Sequence, residues 1–296
     1  MKDYKTENII NFALVGHAST GKTTLAESMA FNAGQLHKMG SISNGDTLSD
    51  YRSYEIENQH SISISLLNFE WQNKKLNIMD TPGYLDFHGE VKSALRVADF
   101  AGIVVSSTDG ISVGTELCWD YCNKDYKIPK IFIINMIDKE QSNFDQILSS
   151  LKERYGRTVI PFMLPIHEGP DFIDVADILR KKILNFKNNG SGDFNESEPN
   201  SEWTEKLNNL HNELIELIAE SNENLLETYF EKGELSDEEL RNGLHDALKD
   251  NGIIPVFCIS SEKNIGVKRM MDIIAKYAPN AGDLKSIEGF KPGTEE

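Results

Sequence analysis

Four short stretches combine residue types and spacings that can do chemistry. Gly16-His17-Ala18-Ser19-Thr20-Gly21-Lys22-Thr23 fits G-x-x-x-x-G-K-[ST] and stands between an apolar run and a helical one, the context in which such a loop binds phosphate. Its backbone N–H groups and the positive end of the following helix would cradle phosphate oxygens. Lys22 would reach the β/γ oxygens and Thr23 would hold Mg²⁺, with Thr24 beside them in the first helical turn. A chance Gly-rich turn is the plainer reading, and the next three stretches weigh against it.

The second stretch is MDTPGYLDFHG, residues 79–89. Asp80 closes a run that alternates like a half-buried strand, where a phosphate-loop NTPase needs a carboxylate on a Mg²⁺-bound water. Gly83 offers a backbone N–H able to approach a γ-phosphate closely. Thr-Pro-Gly also makes ordinary surface turns, but a phosphate sensor requires a phosphate loop upstream, and one is present. The third stretch, Asn135-Met136-Ile137-Asp138, again follows an apolar run. A carboxylate at Asp138 can accept both the ring N–H and the exocyclic amino group of guanine, whereas adenine would leave it facing an acceptor. A loop Asn and Asp ahead of a helix beginning near Asn143 would look similar. The fourth, Ser260-Ser261, follows the last apolar run and can offer backbone donors to guanine O6.

The elements that must position these residues are visible as a rhythm. Apolar runs at Ile9 to Val15, Leu76 to Met79, Gly102 to Val105, Lys130 to Ile134 and Ile254 to Ile259 read as strands. Thr23 to Ala33, Val91 to Ala98, Val113 to Lys124, Phe144 to Tyr155 and Val267 to Ala278 read as helices. The alternation predicts an α/β fold around a mostly parallel sheet, with ligands beyond the carboxyl ends of the strands. Residues 187–201 break the rhythm: rich in Asn, Ser, Gly and Glu, they read as a mobile loop. Trp203, Leu207, Leu210, Leu214, Leu217 and Ile218 then recur at helical steps with an acidic outer face. We therefore expect a nucleotide-binding domain over 1–165 and 253–280, an acidic α+β insert over 166–252, and a linker over 281–296 toward an absent second domain.

Charge supports the insert. The 296 residues carry a net charge of −17, and 166–252 hold 21 acidic against 8 basic side chains. A solvated face that keeps the chain soluble would account for the same asymmetry. The acidity opposes broad contact with a phosphate backbone, so DNA is not an expected partner. Three cysteines make no disulfide framework, and Cys118 and Cys122 lie four apart with no second pair to complete a zinc site. They read as structural residues of a reducing compartment. The amino terminus lacks the apolar core of a signal peptide and no run has transmembrane length. A cytoplasmic chain with no membrane contact is expected.

With these four elements in order, the chain resembles the G domain of translational GTPases and is most similar to elongation factor G and its paralogues. HKMGSISNGDTLSDY at 37–51, GTE at 114–116, YFEKGELSDEEL at 229–240 and PVFCISSEKNIGV at 255–267 add to the likeness, which covers nearly the whole chain. The resemblance implies a P-loop NTPase G domain, GTP/GDP and Mg²⁺ as cofactors, and ribosome-dependent GTP hydrolysis in translocation by a monomeric factor. It makes the insert similar to the G-prime subdomain, which in the family faces the stalk proteins of the large ribosomal subunit beside the factor-binding site. Ribosome-protection relatives, whose insert is much reduced, are the second choice.

Departures from the family pattern matter as much. The family usually carries His after D-T-P-G to orient the attacking water, and here Tyr84 takes that catalytic position beside Lys22 and Gly83. A phenol hydrogen-bonds but carries no positive charge at neutral pH, so slow hydrolysis is expected. Ser19 stands where the loop usually has Asp, and Met136 where N-K-x-D has Lys, whose stem covers the base; a thioether can still pack there. The family's R-G-I-T-I aligns with His60-Ser61-Ile62-Ser63-Ile64, leaving Ser63 to join Thr23 and Asp80 at the metal. A GTP-loaded ribosome-binding module with little hydrolysis is the competing reading. A phosphate-loop kinase or ATPase would instead prefer ATP, against Asp138.

Overall fold

The computed structural model describes residues 2–232, 235–283 and Gly293. The expected linker therefore lies outside the described residues from 284 onward, Gly293 apart. In chain order the strands are β1 (Ile9–Val15), β2 (Ser65–Trp71), β3 (Lys74–Asp80), β4 (Phe100–Ser106), β5 (Lys130–Asn135), β6 (Val159–Pro161), β7 (Met163–Pro165), β8 (Asp174–Asp177), β9 (Lys182–Phe186), β10 (Phe194–Ser197) and β11 (Ile254–Cys258). Seven of them form one sheet in the order β2-β3-β1-β4-β5-β11-β6, and β10-β9-β8-β7 form a second. Only β2 runs antiparallel in the first sheet; the second is antiparallel throughout.

The expected mixed α/β fold is thus present, and burial explains the sequence pattern. Every residue of β4 and β5 is buried, because helices cover both faces of a parallel sheet, so these strands read as unbroken apolar runs. Helix α1 (Lys22–Asn32) follows β1 directly. After the short α2 (Ser53–Asn58), α3 (His88–Leu95) packs on β1, α4 (Val113–Asp120) on β4 and α5 (Phe144–Tyr155) on β6. The expected continuation of α4 to Lys124 is a π-helical turn over Tyr121–Asp125.

The insert carries α6 (Ser201–Glu220), α7 (Glu223–Lys232) and α8 (Asp237–Lys249), and the chain closes with α9 (Val267–Tyr277) packed against α1. Helix α6 buries Leu207, Leu214, Leu217 and Ile218, and its first turn is capped by Asn200, whose side chain accepts the Trp203 N–H at 2.9 Å. One reading needs correction. The stretch taken as a mobile loop contains β10, which pairs with β9 in the register Phe194↔Phe186, the two rings 5.0 Å apart. A polar edge strand makes its bonds through backbone, so composition hides it. The second sheet also takes its first strand, β7, from just ahead of residue 166.

Two buried side-chain connections help to join the sheets. Arg269 of α9 donates from Nε to Asp177 of β8 at 2.6 Å, with both side chains buried. Asn264, fully buried, accepts from Ser28 at 2.8 Å and Asn32 at 2.7 Å on α1 and donates to the Gly190 carbonyl, at the β9–β10 turn, at 3.1 Å. Among the described residues, no helix is long and apolar enough to cross a membrane, and Cys118, Cys122 and Cys258 are buried free thiols.

Candidate functional site

The four stretches meet at the carboxyl ends of β1, β3, β5 and β11. The loop from Gly16 to Thr23 turns from β1 into α1. A Cβ on Gly16 would collide with the Val104 carbonyl, and Gly21, the residue before α1, stands at φ 86°, where glycine is strain-free. Ser19 stands at φ 62°, a conformation that suits Asp or Asn better than Ser. The Lys22 ammonium donates to the carbonyls of Gly16 at 3.0 Å and His17 at 2.7 Å. Burial lowers its pKa, while Asp80 and, more weakly, Asp50 oppose that.

Beneath the lysine sit two buried carboxylates. Burial pushes Asp80 up to about 6, against the hydroxyls of Thr23 and Ser49 and the Lys22 charge. Burial raises Asp50 too, against the Ser61 hydroxyl. None of their four oxygens accepts a hydrogen bond of ordinary length. The Thr23 hydroxyl lies 3.1 Å from that of Ser61. Unpartnered buried carboxylates beside two hydroxyls fit Mg²⁺, a cation that takes oxygen ligands. The hydroxyl opposite Thr23 is Ser61's, not Ser63's. The fully buried Glu55 accepts the N–H groups of Ile62 and Ser63, both at 3.0 Å, which holds this segment beside the phosphate loop.

The Asp80-Thr81-Pro82-Gly83 hinge is locked to β1 by the Thr81 hydroxyl, which donates to the Leu14 carbonyl at 2.7 Å. A Cβ on Gly83 would lie 2.6 Å from the Ala18 backbone N and 2.5 Å from the Lys22 ammonium, so only glycine brings this N–H to the phosphate loop. Tyr84, 44% exposed, lines a cleft of about 130 Å³ with Ala18, Lys22, Thr23, His60, Ser61 and Gly83.

A second cleft of about 380 Å³ adjoins it, lined by Gly21, Thr24, Asn135, Met136, Asp138, Ser261 and the loop from Met39 to Ser43. Asp138 is 7% exposed; its Oδ1 has no partner and its Oδ2 lies 3.7 Å from Lys139. Met136 stands at φ 67° with its carbonyl held by the Ser107 hydroxyl at 2.7 Å. Asn135 does more than line the cleft. Its amide donates to the Thr20 carbonyl at 2.9 Å and its Oδ1 accepts from the Ser261 N–H and hydroxyl, each at 2.9 Å. It staples three loops together. The donors expected from Ser260 and Ser261 are thereby spent, since the Ser260 N–H bonds the Ile265 carbonyl at 3.0 Å. A larger open groove of about 770 Å³ beside α5 touches none of the phosphate-loop residues.

A family model of the elongation factor Tu GTP binding domain matches residues 7–280. The chain belongs to this family. It is also similar to a solved crystal structure, that of ttk003000868 from Thermus thermophilus, at 30% identity and a TM-score of 0.86, over 93% of this chain and 41% of that one. The chain thus spans about two fifths of the length of that structure.

The chain is thus a G domain of the translational GTPase type, and its two adjoining clefts have separate walls, one with the phosphate loop and Gly83 and the other with Asn135, Met136 and Asp138. Sequence reasoning missed Asp50, Ser61, His60 and the Met39 loop as parts of those walls. Their stretch lacks regular periodicity, and only its likeness to the family marked it.

Proposed function

We propose that this is the G domain of an elongation factor G-like factor that takes GTP with Mg²⁺, hydrolyses it slowly, and works on the ribosome. The observation that carries the catalytic part is the pair of buried, unpartnered carboxylates, Asp50 and Asp80, beside Thr23, Ser61 and Lys22. Mg²⁺, when bound, neutralises charge on the β- and γ-phosphate oxygens. Asp80, Thr23 and Ser61 would hold it, with Asp50 behind them. The loop N–H groups and Lys22 would bind the phosphates, Gly83 would sense the γ-phosphate, and Asp138 would select guanine. Met136 would cover the base with its thioether. Slow hydrolysis is expected because the residue after the hinge, Tyr84, brings a phenol in place of an imidazole.

The G-prime reading of the 166–252 insert, the large-subunit stalk as its partner, the factor-binding site and a monomeric state are parts of the same proposal. A GTP-loaded module that acts by occupancy with little hydrolysis is the second reading, favoured by the same tyrosine. Stoichiometric labelled GTP with Mg²⁺, followed by chromatography over hours, tests both. Tight GTP with slow GDP formation supports the first, and GTP persisting unchanged supports the second. Tighter ATP than GTP would sink both.

A further inference from the structure

We infer that His60 is the residue that orients the attacking water, with Tyr84 acting as the residue that positions it; this rests on the GTP-hydrolysing reading above. The imidazole absent after Asp80-Thr81-Pro82-Gly83 is supplied from a different loop. His60 immediately precedes Ser61, the residue whose hydroxyl meets Thr23, and it lines the phosphate-side cleft with Lys22, Gly83 and Tyr84. Its ring lies 4.6 Å from that of Tyr84, tilted by 56°, and 6.2 Å from that of Phe87. Its backbone N–H is tied to the Glu55 carbonyl at 3.2 Å. Tyr84 thus serves as an aromatic wall against which the histidine leans.

The tautomer follows from one contact. His60 Nδ1 is 3.2 Å from the Ser61 carbonyl oxygen, and a carbonyl can only accept, so Nδ1 carries the proton. In the neutral ring Nε2 then carries the lone pair. That lone pair can accept a hydrogen bond from a water in the cleft and fix its orientation. In the reaction the water oxygen bonds to the γ-phosphorus as the bond from that phosphorus to the β–γ bridging oxygen breaks. GDP and inorganic phosphate result, and the water's proton ends on the phosphate. The imidazole takes up no proton in this step, so its contribution is orientation.

The test uses the full chain with Mg²⁺, measuring GTP affinity first with a fluorescent analogue and then GDP formation in a single turnover. We expect H60A to bind GTP within about threefold of the unmodified chain yet form GDP at least about tenfold more slowly. Added imidazole should restore part of the H60A rate, and H60Q should fall between, because a side-chain amide can still accept from water. Y84A should also slow the reaction, and H60A/Y84A should be no slower than H60A, since the two residues act as one unit. A readout independent of turnover is the ¹⁵N-histidine spectrum, with H60A identifying the signal. His60 should appear as the Nδ1–H tautomer and differ between the GDP form and a non-hydrolysable GTP form. H60A hydrolysing at the full rate or a His60 signal blind to the γ-phosphate would each overturn the inference alone, whereas no GDP from the unmodified chain above the buffer control would overturn the slow-hydrolysis reading and this inference with it. No GTP binding by the unmodified chain would overturn the broader reading and this one with it.

Discussion

Asp138 holds a buried carboxylate with one oxygen unpartnered in the cleft it lines with Met136 and Ser261, and the proposed base contact makes a two-sided prediction. Asp138→Asn presents an N–H donor to the guanine amino group, so GTP affinity should fall on the order of 10²-fold or more. Xanthine has a carbonyl in place of that amino group, so the same variant should gain affinity for XTP. Labelled-nucleotide titrations check this, and unchanged GTP binding would refute the role. Tyr84→His keeps an aromatic ring against His60 and adds an imidazole after the hinge, so it should raise single-turnover hydrolysis about tenfold or more while leaving affinity near its starting value. No acceleration would mean the phenol is not what limits the rate. Asp80 and Asp138 were legible in the sequence because each sits at or just past the end of an apolar run, where strand and loop geometry leave little choice. Ser61 and His60 were not. Their loop is fixed by Glu55, a carboxylate buried among backbone donors, and no local periodicity announces such an anchor.

Among the elements, β1 and β4 are pinned at their start by Asp99, whose Oδ2 accepts the Asn11 N–H at 2.6 Å while its Oδ1 has no partner. Burial pushes this carboxyl up to about 6, with the Asn11 donors acting the other way. Because the folded state holds the proton more tightly than the unfolded chain, whose Asp titrates near 3.9, this group's contribution falls as pH rises from about 4 to 6 and stays low above that. Asp99→Asn removes the ionisation and keeps an acceptor. Relative to the unmodified chain it should gain about 1–2 kcal/mol at pH 7.5 over its standing at pH 4.5, less than the displacement alone implies because of screening and the retained hydrogen bond. Urea melts at the two pH values measure this, and a difference independent of pH would refute it. In the main sheet β1, β3, β4, β5 and β11 were readable from their apolar runs, whereas the half-exposed edge strand β2 and the three-residue edge strand β6 were not. β10 was not, because an edge strand needs only its backbone and one aromatic contact.

Over the whole molecule, buried side chains help to couple the two sheets. Arg269→Met leaves Asp177 without its buried cationic partner, and breaking such a pair costs about 3–5 kcal/mol. Denaturant melts should register that loss, and hydrogen exchange should quicken first in β8 and β9; a change under about 1 kcal/mol would mean the pair is incidental. The Asn264 cluster has a different consequence. Helix α1 begins with Lys22 and Thr23 and ends at Asn32, which Asn264 ties to the turn at Gly190. The second sheet and the phosphate loop are therefore mounted at opposite ends of one stiff rod, roughly 14 Å from Thr23 to Asn32 at the helical rise. The hairpin and the phosphate loop thus share a single rigid mount, so neither can shift along the axis of α1 without loading the other.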